Sequence, residues 1–254
     1  MEKNQKNTNS KKQNNLLEKK NDDLKFEILS PEIYTELDPD ITFKIIVLGN
    51  TGVGKSCLSL NGTTGKFESN HNATVGFDFF SFVTKVDKKI VRLQIWDTCG
   101  EEGYRALVQN FYRGSVLAIL VYAINDINSF NSIENWIKQL KTFSSPDIKI
   151  FLIGNKCDLN EQRQISLEMG MKMKKDFNFE YFLETSAKTG LNSQKLFIKA
   201  FKILYLNYKK INSNDVASER NKRTISLVGK ELINKEKKKE MLLRIIISVF
   251  RFWF

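Results

Sequence analysis

The chain has 254 residues, of which 41% are hydrophobic; that suffices for one large packed domain or two small ones and excludes a wholly disordered polypeptide. Its formal charge of +11 raises the question of nucleic acid. The lysine-rich runs, however, fall in the N-terminal arm and between Lys209 and Lys239, and neither an aromatic-basic RNA motif nor a helix-turn-helix spacing accompanies them, so no nucleic acid partner is expected.

Residues 1–25 run through Asn, Lys and Gln with few branched or aromatic side chains, a mixture that buries too little apolar area to offset its ordering entropy. The stretch 1–40 is therefore expected to be a disordered Asn/Lys-rich arm. Leu16 and Leu17 do not make a secretory apolar core, and Asp and Glu without Arg argue against a transit peptide. Glu2 after the initiator lacks the glycine that myristoylation needs. Cys57, Cys99 and Cys157 do not have the spacing of a metal set and suit a reducing, cytosolic compartment.

From 41 to 210 apolar strand-like runs alternate with helical patterns, the sign of an α/β doubly wound domain. Strands are expected at Phe43–Leu48, Phe77–Val86, Val91–Trp96, Val116–Tyr122, Lys149–Ile153 and Tyr181–Leu183. Helices are expected to start near Lys55, Ser129, Ser166 and Ser193, each with Ser or a nearby Asn as cap. The polar Asp87, Lys88 and Lys89 suit a hairpin between the second and third strands. The expected sheet is mostly parallel and six-stranded, with one antiparallel edge strand and helices on both faces.

The first strand runs into GNTGVGKS, the phosphate-binding pattern GxxxxGK[ST], from Gly49 to Ser56. Gly52 and Gly54 let the backbone N–H groups around Val53 approach phosphates, and the helix that follows, with Cys57 in its first turn, adds its positive end. Lys55 would reach the β- and γ-phosphates, and the Ser56 hydroxyl would take one position on Mg²⁺. The motif NKCD at 155–158 follows the strand KIFLIG, at the carboxyl edge where open α/β sheets bind ligands. The Asp158 carboxylate accepts two hydrogens from guanine N1 and N2, a donor pair adenine does not offer, and should select guanine.

With ETSAK at 184–188 after a further strand, the sequence resembles the Ras superfamily, with a P-loop NTPase fold. By that resemblance Asn155 braces the loops and the Lys156 stem packs on the base. The Ala187 N–H, with Ser186 beside it, meets the guanine carbonyl, and Lys188 packs nearby. Phe67 would lie against the guanine edge. In NATVGFDF at 72–79, Thr74 would complete Mg²⁺. In WDTCGEEGYR at 96–105, Asp97 would hold Mg²⁺ through water and the Gly100 N–H would touch the γ-phosphate. Catalysis would rest on Lys55, Gly100 and Glu101, the last standing where the family usually has the glutamine that orients the attacking water.

VGFDF at 75–79, VRLQIWDT and FYRGS at 111–115 are similar to Rab segments, and the likeness covers roughly 41–208. It implies GTP/GDP and Mg²⁺ as cofactors, and exchange factors, activating proteins and effectors as partners. It also implies slow intrinsic GTP hydrolysis, a place in vesicle traffic on the cytosolic face of an endomembrane, and a monomer. Phe79, Trp96 and Tyr112 would form an effector-facing aromatic patch. A guanine-nucleotide scaffold with little turnover is the alternative, because ionised Glu101 only accepts hydrogen bonds and adds negative charge near an anionic γ-phosphate. Further departures are Cys99 for alanine, Ala123 for aspartate, and Asn61 with Gly62 for a basic-aromatic pair; His71 is read as a solvated loop residue.

The stretch 211–254 is a variable basic tail. Lys235, Lys237, Lys238 and Lys239 precede the apolar Met241–Phe254, which is too short to span a bilayer but suits an interfacial anchor on acidic lipids. No cysteine follows Cys157, so a Rab-type prenyl anchor is not expected. A mispredicted gene end accounts for the same segment equally well.

Overall fold

The computed structural model describes residues 24–35, 37–68, 76–98 and 111–215. By its internal contacts the chain forms two units, Met1–Leu204 and Tyr205–Phe254. The first holds one sheet; its strands are β1 (Glu27–Leu29), β2 (Ile41–Leu48), β3 (Phe77–Val86), β4 (Lys89–Thr98), β5 (Leu117–Ala123), β6 (Lys149–Asn155) and β7 (Tyr181–Glu184). The helices are α1 (Pro31–Tyr34), α2 (Lys55–Thr64), α3 (Ile127–Asn131), α4 (Ile133–Phe143), α5 (Leu167–Asp176) and α6 (Ser193–Asp215). In the second unit, described to residue 215, the Tyr205 and Tyr208 rings stack at 6.3 Å and the Lys209 ammonium lies 5.8 Å from the Tyr205 ring.

The sheet order is β1-β3-β4-β2-β5-β6-β7, and every pairing from β4 to β7 is parallel. Such a sheet needs cover on both faces, which explains why β5 reads LAILVYA with every residue buried. Alternate side chains point to opposite faces. On one, Ile46, Leu48, Ala118, Leu120 and Tyr122 join Trp136, Ile137 and Leu140 of α4 in a single core cluster. Elsewhere Phe82 meets Phe197 of α6 at 6.1 Å between ring centres. Gly62 of α2 permits that helix its place, since a Cβ there would sit 2.2 Å from the Phe197 ring.

The β3–β4 hairpin turns on two residues, Asp87 and Lys88, at φ 49° and 64°. Two consecutive left-handed residues make the primed turn whose twist matches the strands. As expected, β3 is the one strand among the described residues that runs against the rest.

The stretch 1–40 requires correction where it is described, because it supplies a seventh strand and a short helix. β1 pairs antiparallel with β3, Glu27 opposite Lys85 and Leu29 opposite Val83. Leu29 is buried, and the Phe26 ring lies 5.0 Å from Phe201. The Tyr34 hydroxyl donates to Ser81 O at 3.4 Å, and Arg92 donates to Leu37 O at 3.1 Å. The polar composition before residue 25 conceals the apolar phase of FEIL, whose burial against α6 and β3 favours order. β3 is thus covered at its Val83–Lys85 end rather than forming the outermost strand.

Capping differs from expectation at two helices. Asp126, not Ser129, caps α3, accepting from the N–H groups of Asn128 and Ser129. The first turn of α2 has no side-chain cap at all; its N-cap is Gly54. Ser166 caps α5 as expected, accepting from Met169 N at 3.3 Å.

Candidate nucleotide and Mg²⁺ site

The parallel registers bring five strand ends to one edge: Val47 pairs with Asp97, Leu48 with Leu120, Ala123 with Asn155, and Gly154 with Glu184. The loops carrying the motifs leave from that edge. A helix whose first turn lacks a side-chain cap directs its backbone N–H groups outward, the arrangement that receives an anion. Gly54 has φ +91°, and a Cβ there would stand 2.6 Å from Asn155 Nδ2. Both the left-handed backbone and the close amide require glycine at this position.

Asn155 is the joint of the site and only 1% exposed. Its Nδ2 donates to Val53 O at 2.9 Å and, more weakly, to Gly54 O at 3.4 Å. Its Oδ1 accepts from Thr185 Oγ1 at 3.1 Å and Ala187 N at 3.2 Å. One amide therefore locks the phosphate loop, the NKCD loop and the ETSAK loop together. The chain turns at Lys156, φ 64°, and presents Asp158 at the surface. Ser186 Oγ donates to Asp158 Oδ1 at 2.6 Å and accepts from Thr189 N at 3.1 Å, which orients the carboxylate. Behind these loops Arg163 grips Glu184 with two parallel bonds, at 2.6 and 2.9 Å. Ala187 is buried and Lys188 exposed.

On the phosphate side, Lys55 Nζ donates to Asn50 O at 3.0 Å. Ser56 Oγ donates to Asp97 Oδ2 in a very short hydrogen bond. Asp97 is fully buried, and its other oxygen, Oδ1, has no hydrogen-bond partner. Loss of water pushes its pKa up to about 7, against the Ser56 hydrogen bond and the Lys55 charge, with the Asp78 charge adding to the rise. A buried carboxylate oxygen without a donor beside a serine hydroxyl is a costly arrangement unless a cation answers it. The donor set fits Mg²⁺, which takes one or two protein oxygens and completes its octahedron with phosphate and water. Among the described residues no cluster of three His, Cys, Asp or Glu offers a different metal centre. Burial, with the Asp97 charge next, raises the Cys57 pKa, keeping it a neutral filler of the first turn of α2.

Of the residues expected from sequence, Gly52, Val53, Gly54, Lys55, Ser56, Cys57, Asp97, Asn155, Lys156, Asp158, Ser186, Ala187 and Lys188 lie on loops, strand ends or the first turn of α2 at this edge. Thr74, Gly100 and Glu101, with His71 and Cys99, lie outside the described residues. Phe67 follows α2 and is 40% exposed. The aromatic patch needs one correction. Phe79 is 37% exposed and stands edge-on to Trp96, but Tyr112 is only 1% exposed and donates its hydroxyl to Gln139 at 3.0 Å. Tyr112 belongs to the core; Phe77 and Phe111, at 5.4 and 5.2 Å from Trp96, complete the cluster instead.

The model of the Ras family matches residues 44–205. The Ras-related protein Rab-8 of Diplobatis ommata is 39% identical over 178 residues, 70% of this chain and 84% of the relative. Rab-8B proteins of Pongo abelii and Homo sapiens are each 38% identical over 181 residues, 70% of this chain and 87% of theirs. The chain belongs to the Ras family and is a Rab-type small GTPase.

Proposed function

We propose that this chain is a switch that holds GTP or GDP with Mg²⁺ at the sheet edge, hydrolyses GTP slowly and acts in vesicle traffic. The observation that carries the reading is Asn155, whose one amide joins the phosphate loop to both loops that would read guanine. Asp158 would accept from guanine N1 and N2, Ala187 N–H would face the base carbonyl, and the Lys156 stem and Phe67 would flank the ring. Gly52, Val53 and Gly54 would surround the phosphates with N–H groups, and Lys55 would place its charge on the β- and γ-oxygens. Ser56, Thr74 and Asp97 would hold Mg²⁺, which supplies charge neutralisation at the phosphates when bound. Gly100 would sense the γ-phosphate through its N–H, so loss of that phosphate would release both switch loops.

In hydrolysis a water oxygen forms a bond to the γ-phosphorus while the bond to the bridging oxygen breaks and GDP leaves with the electron pair. By its place in the WDTCGEEGYR motif, Glu101 would stand where the family's glutamine orients the water. An ionised carboxylate there would accept the water's hydrogen but donate none, so turnover should differ from that of a glutamine enzyme. Single-turnover rates for the wild type and Glu101→Gln test this. A faster or slower variant supports a hydrolysing switch with Glu101 in the reaction; equal rates remove Glu101 from it. No phosphate from either protein favours the scaffold reading.

Phe79 and Trp96, with Phe77 and Phe111, form the surface where an effector would dock. Exchange and activating factors would meet residues near 65–80 and 97–113. Among the described residues no helix is long and apolar enough to cross a membrane. The Lys235–Lys239 run before Met241–Phe254 would place the protein on the cytosolic face of an acidic endomembrane, as a monomer.

A further inference from the structure

The loop residue Asn50 is tied to a helix that no motif marks. Its backbone carbonyl accepts from Lys55 Nζ at 3.0 Å. Its side chain bridges to the start of α4: Nδ2 donates to Ser132 Oγ at 3.0 Å, and Oδ1 accepts from Trp136 Nε1 at 3.1 Å. The donor and acceptor inventory fixes this orientation. An indole N–H only donates, so the Asn50 oxygen must face Trp136. Ser132 uses its own proton on Asn128 O at 2.8 Å and therefore offers Asn50 a lone pair, which the amide nitrogen fills. Aspartate at this position would present acceptors to both, and Ser132 would have to abandon Asn128. Trp136 is 9% exposed and packed in the core cluster with Ile133, Ile137 and Leu140, so the indole is a rigid anchor.

We propose that Trp136 and Ser132 are positioning residues for phosphate binding: they hold the Asn50 side chain, and Asn50 through its carbonyl aims the Lys55 ammonium. The inference rests on the assignment of Lys55 to the β-phosphate made above. It extends the phosphate site to the first turn of α4, far from the phosphate loop in sequence. Because Gln139, three residues beyond Trp136, holds Tyr112, the same helix also contacts the segment that follows the second switch loop.

Trp136→Phe keeps an aromatic ring in the core and deletes the N–H donor together with part of the indole's volume, a packing loss that the GMP control reads separately; Asn50→Ala deletes both side-chain bonds. The readout is the ratio of GMP to GDP dissociation constants in Mg²⁺, measured by competition against a fluorescent GDP. GMP retains the base, ribose and α-phosphate but lacks the phosphate that Lys55 reaches, so a general loss of structure weakens both ligands alike. The expected result is GDP weakened about five-fold in Trp136→Phe, the worth of about one net hydrogen bond, with GMP unchanged. Asn50→Ala should lose more GDP affinity, and in a Lys55→Ala background Trp136→Phe should change nothing further. Equal weakening of GMP and GDP, or no change in either, overturns the inference. If Trp136→Phe does not fold, Ser132→Ala and Asn50→Ala carry the same test, and an unchanged ratio in both overturns it. An unchanged ratio in Lys55→Ala itself would instead overturn the assignment of the lysine.

Discussion

Replacing Asp97 by asparagine should change how stability depends on pH, and in opposite senses with and without Mg²⁺. Burial raises this carboxyl from 3.8 to about 7, whereas in the unfolded chain it keeps its ordinary value. A folded pKa above the unfolded one means the folded state binds the proton more tightly. The contribution to stability is therefore fully present below about pH 4 and is lost as pH rises through about 7. About three pH units at roughly 1.36 kcal/mol each amount to about 4 kcal/mol over that window. The asparagine variant would carry no such dependence, though its amide nitrogen would be buried beside Ser56, a penalty of about 1–3 kcal/mol that does not vary with pH. The assay is urea unfolding of both proteins in EDTA from about pH 4 to 8, reading the difference between them so that other titrations cancel. Wild-type stability should fall relative to Asp97→Asn as pH rises, then level above about pH 7. With Mg²⁺ and GDP the divalent charge favours the ionised carboxylate, and the wild type should regain its advantage. A metal-free difference that stays constant across the range refutes the reasoning.

Asn155→Ala should be the most damaging single change at the site, because it leaves Val53 O, Thr185 Oγ1 and Ala187 N without their partner. A loss of at least about 3 kcal/mol in thermal or urea unfolding is expected, together with loss of nucleotide binding; a variant of wild-type stability would contradict it. Leu29→Ala should cost about 2–3 kcal/mol locally, seen as faster amide exchange at Val83–Lys85 with β2 and β5 unaffected. Unchanged exchange there would mean that β1 does not guard this edge.

The phosphate loop and guanine loops were legible because their chemistry demands fixed residues at fixed spacing: Gly54 must have φ +91°, and Asp97 must reach Ser56 from the end of a neighbouring strand. The β5 run was legible because a parallel strand buried on both faces has no polar positions. β1 was not, since a three-residue strand carries too little pattern beside the Lys/Asn-rich arm. Tyr112 was misplaced because an aromatic in a surface motif looks alike whether its ring faces solvent or Gln139. Asn50, Ser132 and Trp136 left no local signal at all, since their meeting depends on where α4 packs. Asp126 outcompeted Ser129 as a cap because its carboxylate reaches two N–H groups from the position before the helix.

The most direct measurement is equilibrium binding of GTP and ATP to the purified chain in Mg²⁺, repeated with Asp158→Asn. The account predicts tight GTP binding, no ATP binding at comparable concentration, and loss of guanine binding in the variant. ATP binding as tight as GTP, or GTP binding indifferent to Asp158→Asn, would contradict it.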